Sequence, residues 1–133
     1  MTRYLLDTNA ISNLIRQPRG PVADRIRKQG TTAVCTSVIV AAELRFGVEK
    51  RGSRKLATRV AEALDSLEVL PFAPPADAVY AVIRANLEKA GHPIGANDLL
   101  IAAQAVALGY TLVTDNEREF GRIRGLATAN WLR

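Results

Sequence analysis

A single α/β domain is what this 133-residue chain predicts: a central parallel sheet of four to five short strands, flanked by helices as an α/β/α sandwich. Three observations carry that expectation. Short apolar runs of strand length alternate with longer stretches of helical period, the pattern of βαβ units. The runs read as buried strands, which suits a parallel sheet covered on both faces. No repeat, low-complexity segment or long linker divides the chain, and its length suits one core, so residues 1–133 are read as one domain.

The elements follow in order. Tyr4 to Leu6 reads as a first strand, with Thr8 or Asn9 capping a helix to about Arg16, stopped by Pro18 and Gly20. A second helix follows Pro21, a residue suited to a first helical position. Ala33 to Cys35 is a short strand, and Ser37 offers an N-cap for a helix through about Glu49. Residues 53–68 place Leu56, Val60, Ala63, Leu64 and Leu67 at helical spacing. Val69 to Phe72 is a strand, and Pro74 and Pro75 open a helix that Gly91 follows. A helix from about Asp98 to Leu108 is apolar nearly all round and should be central. Gly109 ends it; Thr111 to Thr114 and Leu126 to Thr128 complete the strands.

Four acids interrupt these apolar runs: Asp7 in LLDTN, Glu43 in VIVAAEL, Asp98 in GANDLLIAA and Asp115 in LVTDN. Carboxylates are seldom buried unless paired or bound to a metal. Ligand sites in parallel sheets lie beyond the carboxyl ends of strands, where Asp7 and Asp115 fall. Converging there, the four would form an oxygen-rich site suited to Mg²⁺ or Mn²⁺ and to chemistry on phosphates. Each acid alone also has a structural reading. Asp7 and Asp98 can serve helix N-termini, Asp115 can hold a turn, and Glu43 can pair with Arg45. Thr8, Asn9, Thr114 and Asn116 stand beside the acids, either orienting them or doing cap and turn work.

Charge points the same way. There are 18 basic residues against 13 acidic ones, a net charge of +5, and setting the four acids aside leaves nine acids on the rest of the surface. An acidic pocket in a basic shell suits an enzyme that grips a polyanion such as nucleic acid. Arg45, Lys50, Arg51, Arg54, Lys55 and Arg59 form the densest basic segment; within it Arg45, Arg51, Arg54 and Lys55 are the expected RNA contacts. The single cysteine, Cys35, excludes an intramolecular disulfide and suits a reducing compartment. With no secretory core near the N-terminus and no membrane-length apolar run, the expected location is the cytoplasm, away from membranes. His92 lies in a Gly/Pro-rich connection with no zinc-like partner, and Trp131 reads as a packing anchor.

The motifs LLDTN, AAELRFGVEK, PIGANDLLIAAQA and LVTDNEREF, with the ending NWL, resemble PIN-domain ribonucleases, above all the VapC and FitB-like toxins of bacterial toxin–antitoxin pairs. The likeness spans essentially the whole chain, in family order. It implies an α/β/α fold, Mg²⁺- or Mn²⁺-dependent endoribonuclease activity, a homodimer and neutralisation by a small antitoxin. Asp7, Glu43, Asp98 and Asp115 match the family's acidic positions, with Asp7, Glu43 and Asp98 as the metal ligands; Thr8, Asn9, Thr114 and Asn116 match its polar ones. Some close relatives carry Asn where this chain has Asp115. The alternatives are a PIN-domain nuclease of RNA processing, a non-catalytic RNA-binding module or a receiver-like switch. A phospho-aspartate phosphatase is disfavoured because Asn9 stands where a second acid is wanted.

Overall fold

The first apolar run forms the middle of the sheet. In the computed structural model, which describes residues 2–133, strand β1 (Tyr4–Leu6) pairs in parallel with β2 (Val34–Ser37) on one side and β4 (Thr111–Val113) on the other. β3 (Glu68–Leu70) extends the sheet beyond β2, and β5 (Thr128–Ala129) extends it beyond β4. The order is β3-β2-β1-β4-β5, all parallel. The chain runs outward from β1 to β3, then returns to the other side for β4. This reversal makes the carboxyl ends of β1 and β4 a topological switch point, the usual ligand position in such sheets.

Seven helices connect and cover the strands: α1 (Thr8–Arg16), α2 (Pro21–Gln29), α3 (Val38–Arg51), α4 (Arg54–Asp65), α5 (Ala76–Lys89), α6 (Ala96–Leu108) and α7 (Glu117–Phe120). Their ends follow local chemistry. Pro21 opens α2, the Ser37 and Ser53 hydroxyls accept from the Ile39 and Leu56 N–H groups, and Gly52 and Gly109 close α3 and α6 in the left-handed region. α6 is the central helix its composition predicts: Leu99, Ile101, Ala102, Ala103, Gln104 and Ala105 are buried. Gln104 is tied down by the Ser37 hydroxyl and donates to the Leu70 and Pro71 carbonyls, so no buried polar atom of it is left unpaired. Trp131 is 2% exposed and meets the Tyr4 ring at 4.9 Å, so it is the packing anchor expected. Burial pushes the Cys35 thiol up to about 11, an inert core group. No helix among the described residues is long and apolar enough to cross a membrane.

Several boundaries differ from the sequence expectation. Asp7, not Thr8 or Asn9, caps α1, because its own carboxylate accepts from the Ala10 N–H at 2.9 Å. Ala33 lies in a 3-10 turn (Thr31–Ala33), and the strand runs on to Ser37. α4 stops at Asp65, and β3 begins at Glu68, where the Arg3 guanidinium meets the glutamate at 2.6 Å. The last strand falls at Thr128–Ala129, and the four-residue helix α7 was not expected at all.

Candidate active site

Two strand ends set the site. Asp7 is the residue after β1, and its N–H donates to the Val113 carbonyl at 3.1 Å, which ties the end of β1 to that of β4. Its side chain is 4% exposed. Burial raises the Asp7 pKa; the Thr114 hydroxyl and the Ala10 N–H act against that rise, and the Asp115 and Glu43 charges add to it. Among the described residues no guanidinium or ammonium pairs with it. The three ion pairs among the described residues are Arg3–Glu68, Arg27–Asp24 and Arg84–Glu88, all of them elsewhere.

Helices deliver the other carboxylates. Glu43 is in the second turn of α3, half-buried, and its Oε1 accepts from the Thr8 hydroxyl at 2.5 Å. Its partner is therefore a neutral hydroxyl, not Arg45. Asp98 lies in the first turn of α6, half-buried, with its pKa raised to about 6. Burial is the largest cause, followed by the charges of Glu43, Asp7 and Glu119. A helix N-terminus ordinarily favours the ionised form of an acid. Here burial and like charges outweigh that preference, and no side-chain capping hydrogen bond forms at this helix end.

The structure separates the fourth expected acid from this group in part. Asp115 acts on Asp7, but its side chain is exposed and accepts from the Asn130 amide at 3.0 Å. Glu119 of α7, which the sequence reading missed, is half-buried and acts on Asp98; the Asn116 side chain donates to it at 2.8 Å. Asn116 also uses its N–H to reach the Thr114 hydroxyl, at 3.0 Å. Its spacing from Glu119, one helical turn, is the signal that was available. Asn9 is exposed on α1. Arg45, Arg51, Arg54 and Lys55 are exposed on α3 and α4, and none belongs to an ion pair. His92 is exposed in the connection before α6.

The donors fit a hard divalent cation. They are carboxylate and hydroxyl oxygens with no imidazole or thiolate among them, and they offer negative charge with no resident counter-charge. Among the described residues no three carboxylate, imidazole or thiolate groups close into a ready-made cage. Mg²⁺ commonly retains several waters and takes only one or two carboxylates, so a closed cage is not needed for it.

A five-stranded parallel sheet whose switch point receives Asp7 from just after β1, Glu43 from α3 and Asp98 from α6 is an arrangement suited to metal-assisted chemistry on phosphates. The chain belongs to the PIN-domain family, whose model matches residues 4–126. Its relatives place it in the VapC branch of that family. It is 37% identical to "Ribonuclease VapC2" of Haemophilus influenzae, with 99% of this chain and 100% of the relative covered. It is 35% identical to the "tRNA(fMet)-specific endonuclease VapC" of Shigella flexneri, covering 98% of this chain and 99% of that protein. Among solved structures it resembles the DNA-bound VapBC2 of Rickettsia felis (TM-score 0.87, 35% identity) and the DNA-bound VapBC of Salmonella typhimurium (TM-score 0.88, 34% identity). Each match covers 98% of this chain and 99% of the other.

Proposed function

We propose that the chain is the toxin ribonuclease of a toxin–antitoxin pair, a metal-dependent endoribonuclease that hydrolyses RNA phosphodiester bonds and is neutralised by a small antitoxin. The observation that carries this reading is the convergence of Asp7, Glu43 and Asp98 at the switch point without a cation of the protein's own. The VapBC complexes it resembles support an antitoxin partner. A homodimer, a cytoplasmic location and Mg²⁺ or Mn²⁺ as the ion complete the reading.

Asp7, Glu43 and Asp98 would hold the ion, directly or through water. When bound, such an ion lowers the pKa of the attacking water and offsets charge on the phosphate oxygens. The remaining work belongs to the chain. Thr8 fixes the Glu43 carboxylate, Thr114 faces Asp7, and Asn116 holds Glu119 toward Asp98. Glu119 thereby joins the acidic set, and Asp115, steadied by Asn130 at the rim, is assigned to positioning the attacking water. Arg45, Arg51, Arg54 and Lys55 grip the RNA backbone from the exposed faces of α3 and α4. No Ser-His-Asp machinery competes, since His92 is the sole histidine. The test is cleavage of RNA by highly purified protein. Chelator should abolish it, Mg²⁺ or Mn²⁺ should restore it, and the double variant Asp7→Asn/Asp98→Asn should lack it; full activity of that variant would overturn the reading.

A further inference from the structure

Beyond Glu43, the middle of α3 presents residues that serve nothing inside the molecule. Phe46 is 66% exposed, the most exposed of the large hydrophobic side chains among the described residues. Gly47 follows it in mid-helix. Glycine is among the poorest helix formers, yet a Cβ at Gly47 would meet no atom within 4 Å. Neither close packing nor an unusual backbone angle requires glycine there. Lys50 is exposed and outside every ion pair found among the described residues. At helical spacing Glu43, Phe46, Gly47 and Lys50 fall on one face. An open aromatic ring, an open backbone and a free ammonium therefore line up directly beyond a site carboxylate.

From that alignment we infer that the α3 face from Glu43 to Lys50 is the track for the RNA strand, with Phe46 stacking on a base next to the scissile phosphate and Gly47 leaving room for the sugar–phosphate backbone. The inference rests on the ribonuclease reading above. Spacing supports it: three residues of helix carry Phe46 about 4.5 Å beyond Glu43 along the axis, of the same order as the axial advance of about 3.4 Å per nucleotide in a stacked strand. Charge supports it too. Arg45, Lys50 and Arg51 outnumber Glu49 on these exposed turns, which favours a polyanion over a second copy of this basic chain. Every base has a π-face, so stacking on Phe46 adds affinity and register but little sequence choice. Phe46 is thus a substrate-positioning residue.

The test uses the Asp98→Asn protein, in which cleavage is expected to be slow, and a fluorescein-labelled single-stranded RNA oligonucleotide followed by anisotropy. Phe46→Ala and Phe46→Leu should each weaken binding by about tenfold or more, with thermal unfolding unchanged because the side chain is exposed. Phe46→Trp should keep the affinity, and its emission should be quenched as RNA binds. Gly47→Ala should weaken binding while raising the unfolding temperature, a pairing that a purely structural glycine would not give. Unchanged affinity in Phe46→Ala, with or without a shift from dimer to monomer in sedimentation, overturns the inference; a shift to monomer would assign the ring to self-association. If the parent protein neither binds nor cuts RNA, the ribonuclease reading falls first and takes this inference with it.

Discussion

The two ends of the sheet handle charge in opposite ways. At the amino end, Arg3 donates to Glu68 at 2.6 Å and to the Tyr110 hydroxyl at 2.9 Å, and its guanidinium lies 5.0 Å from the Tyr110 ring centroid. Opposite charges meet there and nothing is left over. At the carboxyl end, Asp7, Glu43, Asp98 and Glu119 act on one another with only hydroxyl, amide and backbone N–H donors between them. The same strands hold both ends, so the difference is not a property of the fold. A sheet end built for stability neutralises its charges; one built to receive a cation leaves them unneutralised.

The sharpest way to break this comparison is to remove charge from each end in turn. At the carboxyl end, Asp7→Asn or Asp98→Asn should lower RNA cleavage by on the order of 10²-fold or more, without loss of chelator-state stability. At the amino end, Arg3→Ala should leave cleavage unchanged. Glu68 is more than half exposed, so solvent screening limits the stability loss from that pair to about 1 kcal/mol at most. Comparable activity losses at both ends would erase the distinction.

Next in size is Thr8→Val. It removes the hydroxyl that fixes Glu43 and leaves every carboxylate in place. Cleavage should fall by roughly 10- to 100-fold, as for other groups that orient metal ligands. Activity equal to the parent would reduce Thr8 to ordinary helix chemistry.

A smaller effect sharpens the contrast through pH. The folded-state pKa of Asp98 is raised to about 6 from 3.8, so in chelator the folded protein holds this proton longer than the unfolded chain does. The unfolded state therefore loses protons first between about pH 4 and 6, and the Asp98 contribution to stability falls across that window. The raised pKa disfavours the fold above the window and has no effect below it. Asp98→Asn should accordingly be more stable than the parent above about pH 6, by roughly 1 kcal/mol once screening of this half-exposed group is allowed for. The two proteins should converge below about pH 4. Chemical denaturation at a series of pH values measures this directly, and a variant less stable above pH 6 would contradict it.

How much of this was legible in the sequence depends on what held each residue in place. Asp7 was legible because it follows the apolar run Tyr4–Leu6, and the carboxyl end of a buried strand is a position where an acid is conspicuous. Glu43 and Asp98 stood out against apolar helices in the same way. Glu119 did not. Its helix α7 has four residues, too few for a hydrophobic period, and its place beside Asp98 comes from the return of the chain across the sheet. Asp115 was legible as the acid that follows a strand, but its surroundings were not: the chain turns there and leaves the side chain exposed, bonded to Asn130. The start of β3 at Glu68 was equally hidden, since a charged strand residue is explained only by its partner Arg3, 65 residues away.

Thermal unfolding of the parent and Asp98→Asn, each in chelator and in Mg²⁺ or Mn²⁺, tests the central claim that the carboxyl end is an unneutralised cation site. A cation that binds only the folded state adds roughly 2.7 kcal/mol at a hundredfold excess over its dissociation constant. The parent should therefore unfold at a higher temperature when the ion is present. Asp98→Asn should be as stable as the parent or more so in chelator, and should lose most of the response to the ion. A variant that is weaker in chelator yet keeps the full cation response would make Asp98 an ordinary helix-capping residue and contradict the claim.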